Sequence, residues 1–258
     1  MAMIKYAASW TLRSYREICI LAINAGYYLG PIACERRKSD RKIIYLRHDV
    51  DRFMSNAMQM ALLERQLGVR STYYLRVGAG YDWKAAIREI SRLGHEVGYH
   101  YETMAKSEGN IKEALRLFES ELESMRRVAP VNTAVAHGSP LSKWNNMDIW
   151  NIMRPADLGV LEPYMNLDTD SIAYFTDTGR SWCAARVNLR DKMGSASRRF
   201  KVRKTAELME MIRDGTIRRM CIQTHPERWS YSTASHARSL AFDLLANSVK
   251  LLIASKRS

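Results

Sequence analysis

Apolar residues along this chain fall into two kinds of stretch that alternate. Short runs rich in β-branched and aromatic residues predict strands: "KIIYL" (42–46), "STYYLR" (71–76), "HEVGYH" (95–100), "TAVAH" (133–137), "IAYFTD" (172–177) and "RRMCIQTH" (218–225). Other stretches repeat apolar residues at three and four and predict helices: "SNAMQMALLERQLG", "WKAAIREISRLG", "NIKEALRLFESELESMRRV", "TAELMEMIRDG" and "HARSLAFDLLANSVKLLIAS". Near the N-terminus, Leu12, Tyr15, Cys19, Ala22 and Ile23 are spaced for an amphipathic surface helix closed by Gly26. Strand–helix alternation of this kind implies βαβ units and a mainly parallel sheet. With no Gly/Ser linker, repeat or low-complexity tract, residues 1–258 are expected to form a single domain.

Composition narrows the setting. The apolar run Ile18 to Ile23 is far shorter than the ~18 residues a membrane span needs, and no cleavage pattern follows it. Four cysteines (Cys19, Cys34, Cys183, Cys221) lie far apart with no C-x-x-C pair, which suggests reduced thiols in a cytoplasmic protein. A net charge of +13 favours anionic partners. The basic residues are scattered, the densest group being "RRFKVRK" (198–204), and no helix-turn-helix, finger or RNP pattern accompanies them, so nucleic acid is not the expected partner.

The chemistry-bearing residues sit where strands end. In parallel α/β architectures function gathers at the carboxyl ends of the strands. There the chain places "RHDVD" (47–51), His100, His137, Asp177 and His225, so four of its six histidines (His48, His100, His137, His225) close predicted strands. Side chains alternate along a strand, which puts Asp49 and Asp51 on one face and His48 on the other. Two carboxylates side by side are costly unless a cation neutralises them or one takes a proton. By the same alternation His48 and His95 are expected to pack away from the site, and His236 to lie on the surface of the last helix.

These stretches resemble the motifs of the polysaccharide deacetylase superfamily, the NodB-homology fold within carbohydrate esterase family four. "RHDVD" is similar to the first motif, "GHEVGYHYE" (94–102) to the second, "FTDTGRSW" (175–182) to the fourth and "IQTHPERW" (222–229) to the fifth, in family order. The resemblance implies a distorted, incomplete (β/α) barrel, often seven-stranded. It implies Asp49 as catalytic base, Asp51 and His100 as metal ligands, His225 as acid oriented by Asp177, and Trp182 as an apolar wall for the sugar or its acetyl methyl. The implied cofactor is a divalent ion, zinc by preference, and the implied activity is removal of an N-acyl group from a sugar in surface-polysaccharide (O-antigen-type) biosynthesis. The substrate is then an N-acylated sugar or an anionic sugar precursor.

Two departures bear on the site. The family's second motif continues to another histidine four residues on, and here that position is Met104, a poor ligand for a hard or borderline ion. The third motif is replaced by "HGSPLSKWNN" (137–146). His137 is the first candidate to complete the metal site and Glu102 the second. Two other readings stay open: a catalytically inactive glycan- or partner-binding descendant, and an amide hydrolase of a non-sugar substrate on the same fold.

Overall fold

The computed structural model describes residues 10–34, 41–139, 141–168, 170–182, 200 and 202–241. Seven strands form its sheet: β1 (Tyr28–Gly30), β2 (Ile43–Val50), β3 (Thr72–Leu75), β4 (Glu96–Tyr101), β5 (Val131–Ala136), β6 (Ala173–Thr176) and β7 (Arg219–Thr224). The order is β5-β4-β3-β2-β7-β6, every pairing is parallel, and β1 joins β2 beside β3. β1 pairs with the first half of β2 (Gly30 with Tyr45) and β3 with the second half (Arg47 with Thr72), so the two share one edge. β5 and β6 end the order without pairing to each other, which leaves the sheet an incomplete barrel.

Helices cover the outer face: α1 (Leu12–Asn24), α2 (Met54–Gln66), α3 (Trp83–Arg92), the single turn α4 (Thr103–Lys106), α5 (Ile111–Arg126) and, after the single turn α6 (Pro163–Asn166) whose Tyr164 packs on the inner core, α7 (Thr205–Asp214). All six strands and the first four helices anticipated from the apolar spacing are present. The expected last helix begins at 233 and reaches the end of the described residues at 241; the rest of it, and most of "RRFKVRK", lie outside them. α1 buries Tyr15, Ile18, Cys19 and Ala22, as its spacing predicts, while Ile23 is exposed. Gly26 adopts φ +82° just past its end, the left-handed conformation that terminates a helix at little cost to glycine. No helix among the described residues is long and apolar enough to cross a membrane.

Alternation sorts the side chains into an outer and an inner core. Val97, Tyr99 and Tyr101 pack outward with Ile87, Phe118 and Leu122 of the helices, and Ile44, Leu46 and Ile222 with Ile18, Leu208 and Ile212. The smaller inner core holds Ile43, Tyr45, Tyr74, Val135, Tyr174 and Cys221. A Cβ on inner-facing Gly98 would lie 2.3 Å from the Tyr74 ring, so only glycine lets that tyrosine cross β4. Further along each strand the inner residues turn polar, and they form the site.

Candidate active site and metal centre

Continuing the inner-face alternation to the carboxyl ends gives one set: Arg47 and Asp49 from β2 with Asp51 just beyond it, Arg76 beyond β3, His100 from β4 with Glu102 just beyond it, His137 beyond β5, and Gln223 from β7 with His225 just beyond it. Asp51, His100 and His137 come together, with one ligand atom from each inside a span of 4.8 Å. His100 Nδ1 lies 3.1 Å from the Val135 carbonyl, which only accepts, so that nitrogen carries the proton and Nε2 offers its lone pair. His100 Nε2 is 3.5 Å from Asp51 Oδ1, and His137 Nε2 is also 3.5 Å from it. His137 Nδ1 faces Glu102 Oε2 at 3.1 Å and Ser139 Oγ at 3.0 Å. Asp51 Oδ1 is buried and has no hydrogen-bond partner among the described residues.

Three acceptors converging without a donor between them repel one another unless a cation or a proton joins them. Two imidazole nitrogens and one carboxylate oxygen form a donor set suited to zinc or a similar divalent ion, with coordination left open for water. Although burial opposes it, positive charge at His137 and His100 holds Asp51 well below the usual carboxylate range, the ionised form a ligand needs, and a cation bound among the three would take over that role.

Asp49 is buried beside this group, with Oδ2 3.8 Å from His100 Nε2. Arg47, two residues earlier on the same face, clamps it bidentately: Nε to Oδ1 at 2.8 Å and Nη2 to Oδ2 at 2.7 Å. Gln223 Nε2 donates to Oδ2 at 2.8 Å. Arg47 itself is held by the Tyr164 hydroxyl at 2.9 Å and lies over the Tyr164 and Tyr74 rings. Burial would raise the Asp49 pKa, but Arg47 outweighs it and holds the carboxyl well below its usual range. Among the described residues Oδ1 accepts from Arg47 Nε alone.

On the opposite side of Gln223 stands His225, with its Nε2 3.4 Å from the same amide nitrogen. Its Nδ1 donates to Asp177 Oδ1 at 2.6 Å, and its backbone N–H donates to Oδ2 at 2.9 Å. Arg228 Nη1 (2.7 Å) and Trp229 Nε1 (2.8 Å) complete the donors around Asp177. Burial and the Arg228 charge pull the His225 pKa down, yet Asp177 prevails and raises it. Asp177 thus favours the imidazolium relative to a free histidine, although Arg228 Nη1 also lies 2.6 Å from His225 Nδ1.

Some expectations change. Trp182 is 3% exposed and packs among Trp10 and Trp229, its indole N–H donating to Thr205 Oγ1; the structure places it in the outer core, not along the site. Burying its rings there leaves it no wall to offer a sugar. Met104 is buried in α4 within the apolar core. His48 and His95 do face away, both contacting Glu64 (2.8 and 3.6 Å) in a buried network behind the sheet. His236 is partly buried, 2.9 Å from Ser230 Oγ. Arg47, Arg76 and Gln223 were not singled out from the sequence, although the alternation that paired Asp49 with Asp51 also selects them. Three non-glycine residues with positive φ, Phe53 (50°), Ser139 (38°) and Arg180 (56°), follow Asp51, His137 and Asp177 by two or three positions, so local strain accompanies three of the site's strand ends.

No family model and no curated protein matches this sequence. Among solved structures the chain is similar to a family 4 carbohydrate esterase from Bacillus anthracis (14% identity, 89% of this chain and 85% of that one, TM-score 0.44). It is also similar to a Streptococcus mutans esterase of the same family (13%, 86% and 86%, TM-score 0.44). A third is a wild-type pseudoenzyme of that family from Bacillus anthracis (11%, 82% and 62%, TM-score 0.43), of which this chain spans less than two-thirds. Likeness at this level carries no argument about chemistry, which has to come from the site's own geometry.

Proposed function

We propose that this chain is a metal-dependent hydrolase that removes an N-acyl group, acetyl in the first instance, from a sugar or sugar precursor of surface-polysaccharide (O-antigen-type) biosynthesis. Asp51, His100 and His137 would hold the ion. A divalent ion there, zinc by its donor set, supplies Lewis acidity toward the acyl carbonyl and acidifies water. Asp49, the buried carboxylate beside the ligand group, takes the proton of the attacking water. With so low a pKa it is a weak base, suited only to a strongly acidified water. His225, kept protonated by Asp177, gives its proton to the nitrogen as the C–N bond breaks, because an amine leaves far more readily than an amide anion. The products are a carboxylate and an amino sugar. Gln223, touching Asp49 and standing next to His225, holds base and acid on either side of one short gap. The chain's charge of +13 supports a phosphate- or carboxylate-bearing precursor.

The observation that carries this reading is the buried, unpartnered Oδ1 of Asp51 facing two imidazole nitrogens, beside an Arg-clamped aspartate and an Asp-oriented histidine. The test is acyl release from N-acetylated sugars, free and nucleotide-linked, by chelator-stripped protein and by the same protein reloaded with zinc or cobalt. Release that depends on the metal and is abolished in Asp51→Ala and His100→Ala is expected. Elemental analysis showing full metal content in either variant refutes the ligand assignment, and absence of release by the loaded protein refutes the activity.

A further inference from the structure

We propose that Glu102 is the positioning residue of this metal centre, holding the His137 ring so that its Nε2 faces Asp51 and His100. The proposal rests on the reading of Asp51, His100 and His137 as ligands. Glu102 stands two residues beyond His100, just past the end of β4 on the inner side, yet it lies on the Nδ1 side of His137, turned away from the ligand atoms. Its own position is set by charge: Arg76 Nη2 donates to Oε2 at 2.6 Å, and Lys106 Nζ lies 3.7 Å from Oε1. Arg76 Nη1 is also 3.9 Å from Asp51 Oδ1, so a single guanidinium spans the carboxylate behind one ligand and the carboxylate that is another.

The backbone of His137 is already fixed. Its N–H donates to Tyr101 O at 2.7 Å, and its carbonyl accepts from Asn146 Nδ2 at 2.7 Å. Only the side-chain torsions remain to be set, and two groups compete for Nδ1–H, Glu102 Oε2 and Ser139 Oγ. Ser139 Oγ already accepts from Asn146 Nδ2 at 3.0 Å and is neutral. An ionised carboxylate makes a hydrogen bond roughly twice as strong as a neutral acceptor does. Glu102 therefore fixes both the ring orientation and the tautomer that frees Nε2. Partners of this kind behind a metal-binding histidine typically govern about 10–100-fold in metal affinity.

The experiment measures zinc and cobalt dissociation constants of the full chain by chelator competition, together with the visible absorption of the cobalt form. Glu102→Ala is expected to weaken both metals about 10–100-fold and to alter the cobalt spectrum. Glu102→Gln, which keeps an acceptor for Nδ1–H but loses the charge, is expected to fall between wild type and Glu102→Ala, and it carries the test should Glu102→Ala melt too low to assay. In a His137→Ala background either substitution should add nothing, since its effect runs through that ring. Unchanged affinity in the single variants overturns the proposal, as does an equal added loss in the His137→Ala background, which would make Glu102 a source of bulk charge only. Failure of the wild-type chain to take up either metal overturns the metal-centre reading itself and this proposal with it. Metal uptake without acyl release strikes the hydrolase reading alone.

Discussion

Arg47→Met isolates the electrostatic core of the site. Arg47 and Asp49 are 0% and 1% exposed and joined by two hydrogen bonds of 2.8 and 2.7 Å. Removing one partner of a buried pair leaves an uncompensated charge and costs about 3–5 kcal/mol. Loss of the bond to Tyr164 and of the stacking on Tyr74 and Tyr164 adds to this. The cost has a definite pH dependence. In the wild type Asp49 titrates well below its unfolded value, so its contribution to stability is present above about pH 4 and disappears only as pH falls through the lower folded pKa. In Arg47→Met burial acts on Asp49 without the guanidinium, the folded pKa moves above the unfolded one, and ionisation opposes folding. The stability gap between the two proteins should therefore already be substantial near pH 4, where the wild type keeps most of what Arg47 gives Asp49, and widen further toward pH 7.5, with a slope of at most about 1.4 kcal/mol per pH unit for one proton. Urea unfolding followed by circular dichroism at pH 4.5, 6 and 7.5 measures the gap. Adding Asp49→Asn to Arg47→Met should recover part of the loss at pH 7.5, because the stranded charge is gone. A gap that does not change with pH, or a double variant no better than the single one, refutes the account.

Four further outcomes follow from other parts of the fold. Glu64 is fully buried and gathers the Tyr15 (2.5 Å), Ser71 (2.6 Å) and Tyr73 (2.7 Å) hydroxyls as well as His48, so Glu64→Ala should cost about 3–5 kcal/mol in chemical denaturation, and a loss under 1 kcal/mol would contradict the hub. Burial works against it, but His48 brings the Glu64 pKa down to about 2 from 4.5, so the stability it adds is complete above pH 4.5 and fades toward pH 2; an acid unfolding midpoint unmoved by Glu64→Gln would count against this. Glu227 is buried with neither carboxyl oxygen hydrogen-bonded among the described residues, and burial followed by the Asp51 charge pushes its pKa up to about 7. Its ionisation thus costs stability above pH 4.5 in full once pH passes 7, and Glu227→Gln should melt higher than wild type at pH 8 but not at pH 4; a lower melting temperature at pH 8 would show that the ionised carboxylate is needed for folding. Gly98→Ala sets a methyl against the Tyr74 ring and should destabilise by about 1–3 kcal/mol, relieved by Tyr74→Leu in the same chain; equal melting temperatures for Gly98→Ala and wild type would show that the ring moves aside freely.

The rule that made the site legible in the sequence is the two-residue period of a strand, and it reached further than the titratable residues to which it was applied. It paired Asp49 with Asp51, turned His48 away and put His100 and His137 at the same sheet end, because each stands at or just beyond a strand carrying an unambiguous apolar run. Applied to every residue type, it also marks Arg47, Arg76 and Gln223, which in a chain of net charge +13 read as ordinary basic or polar surface. What the period cannot supply is which strands are neighbours. His137 became a ligand candidate from its own strand, but the need for Glu102 behind it arises only because β4 pairs with β5 and carries Tyr101 against Ala136. The Glu64 hub was illegible for a related reason: a glutamate within a helical repeat reads as solvent-facing, and it is buried here because α1, β2 and β3 all send hydroxyl or imidazole groups to it. β1 escaped because three residues ending in glycine carry too little pattern, and Trp182 because proximity to a motif in sequence says nothing about which face of the chain an aromatic takes. Each miss lies in the step from one strand to the assembled sheet. Alternation therefore brings out the candidate ligand and acid–base groups before the groups that hold them in place.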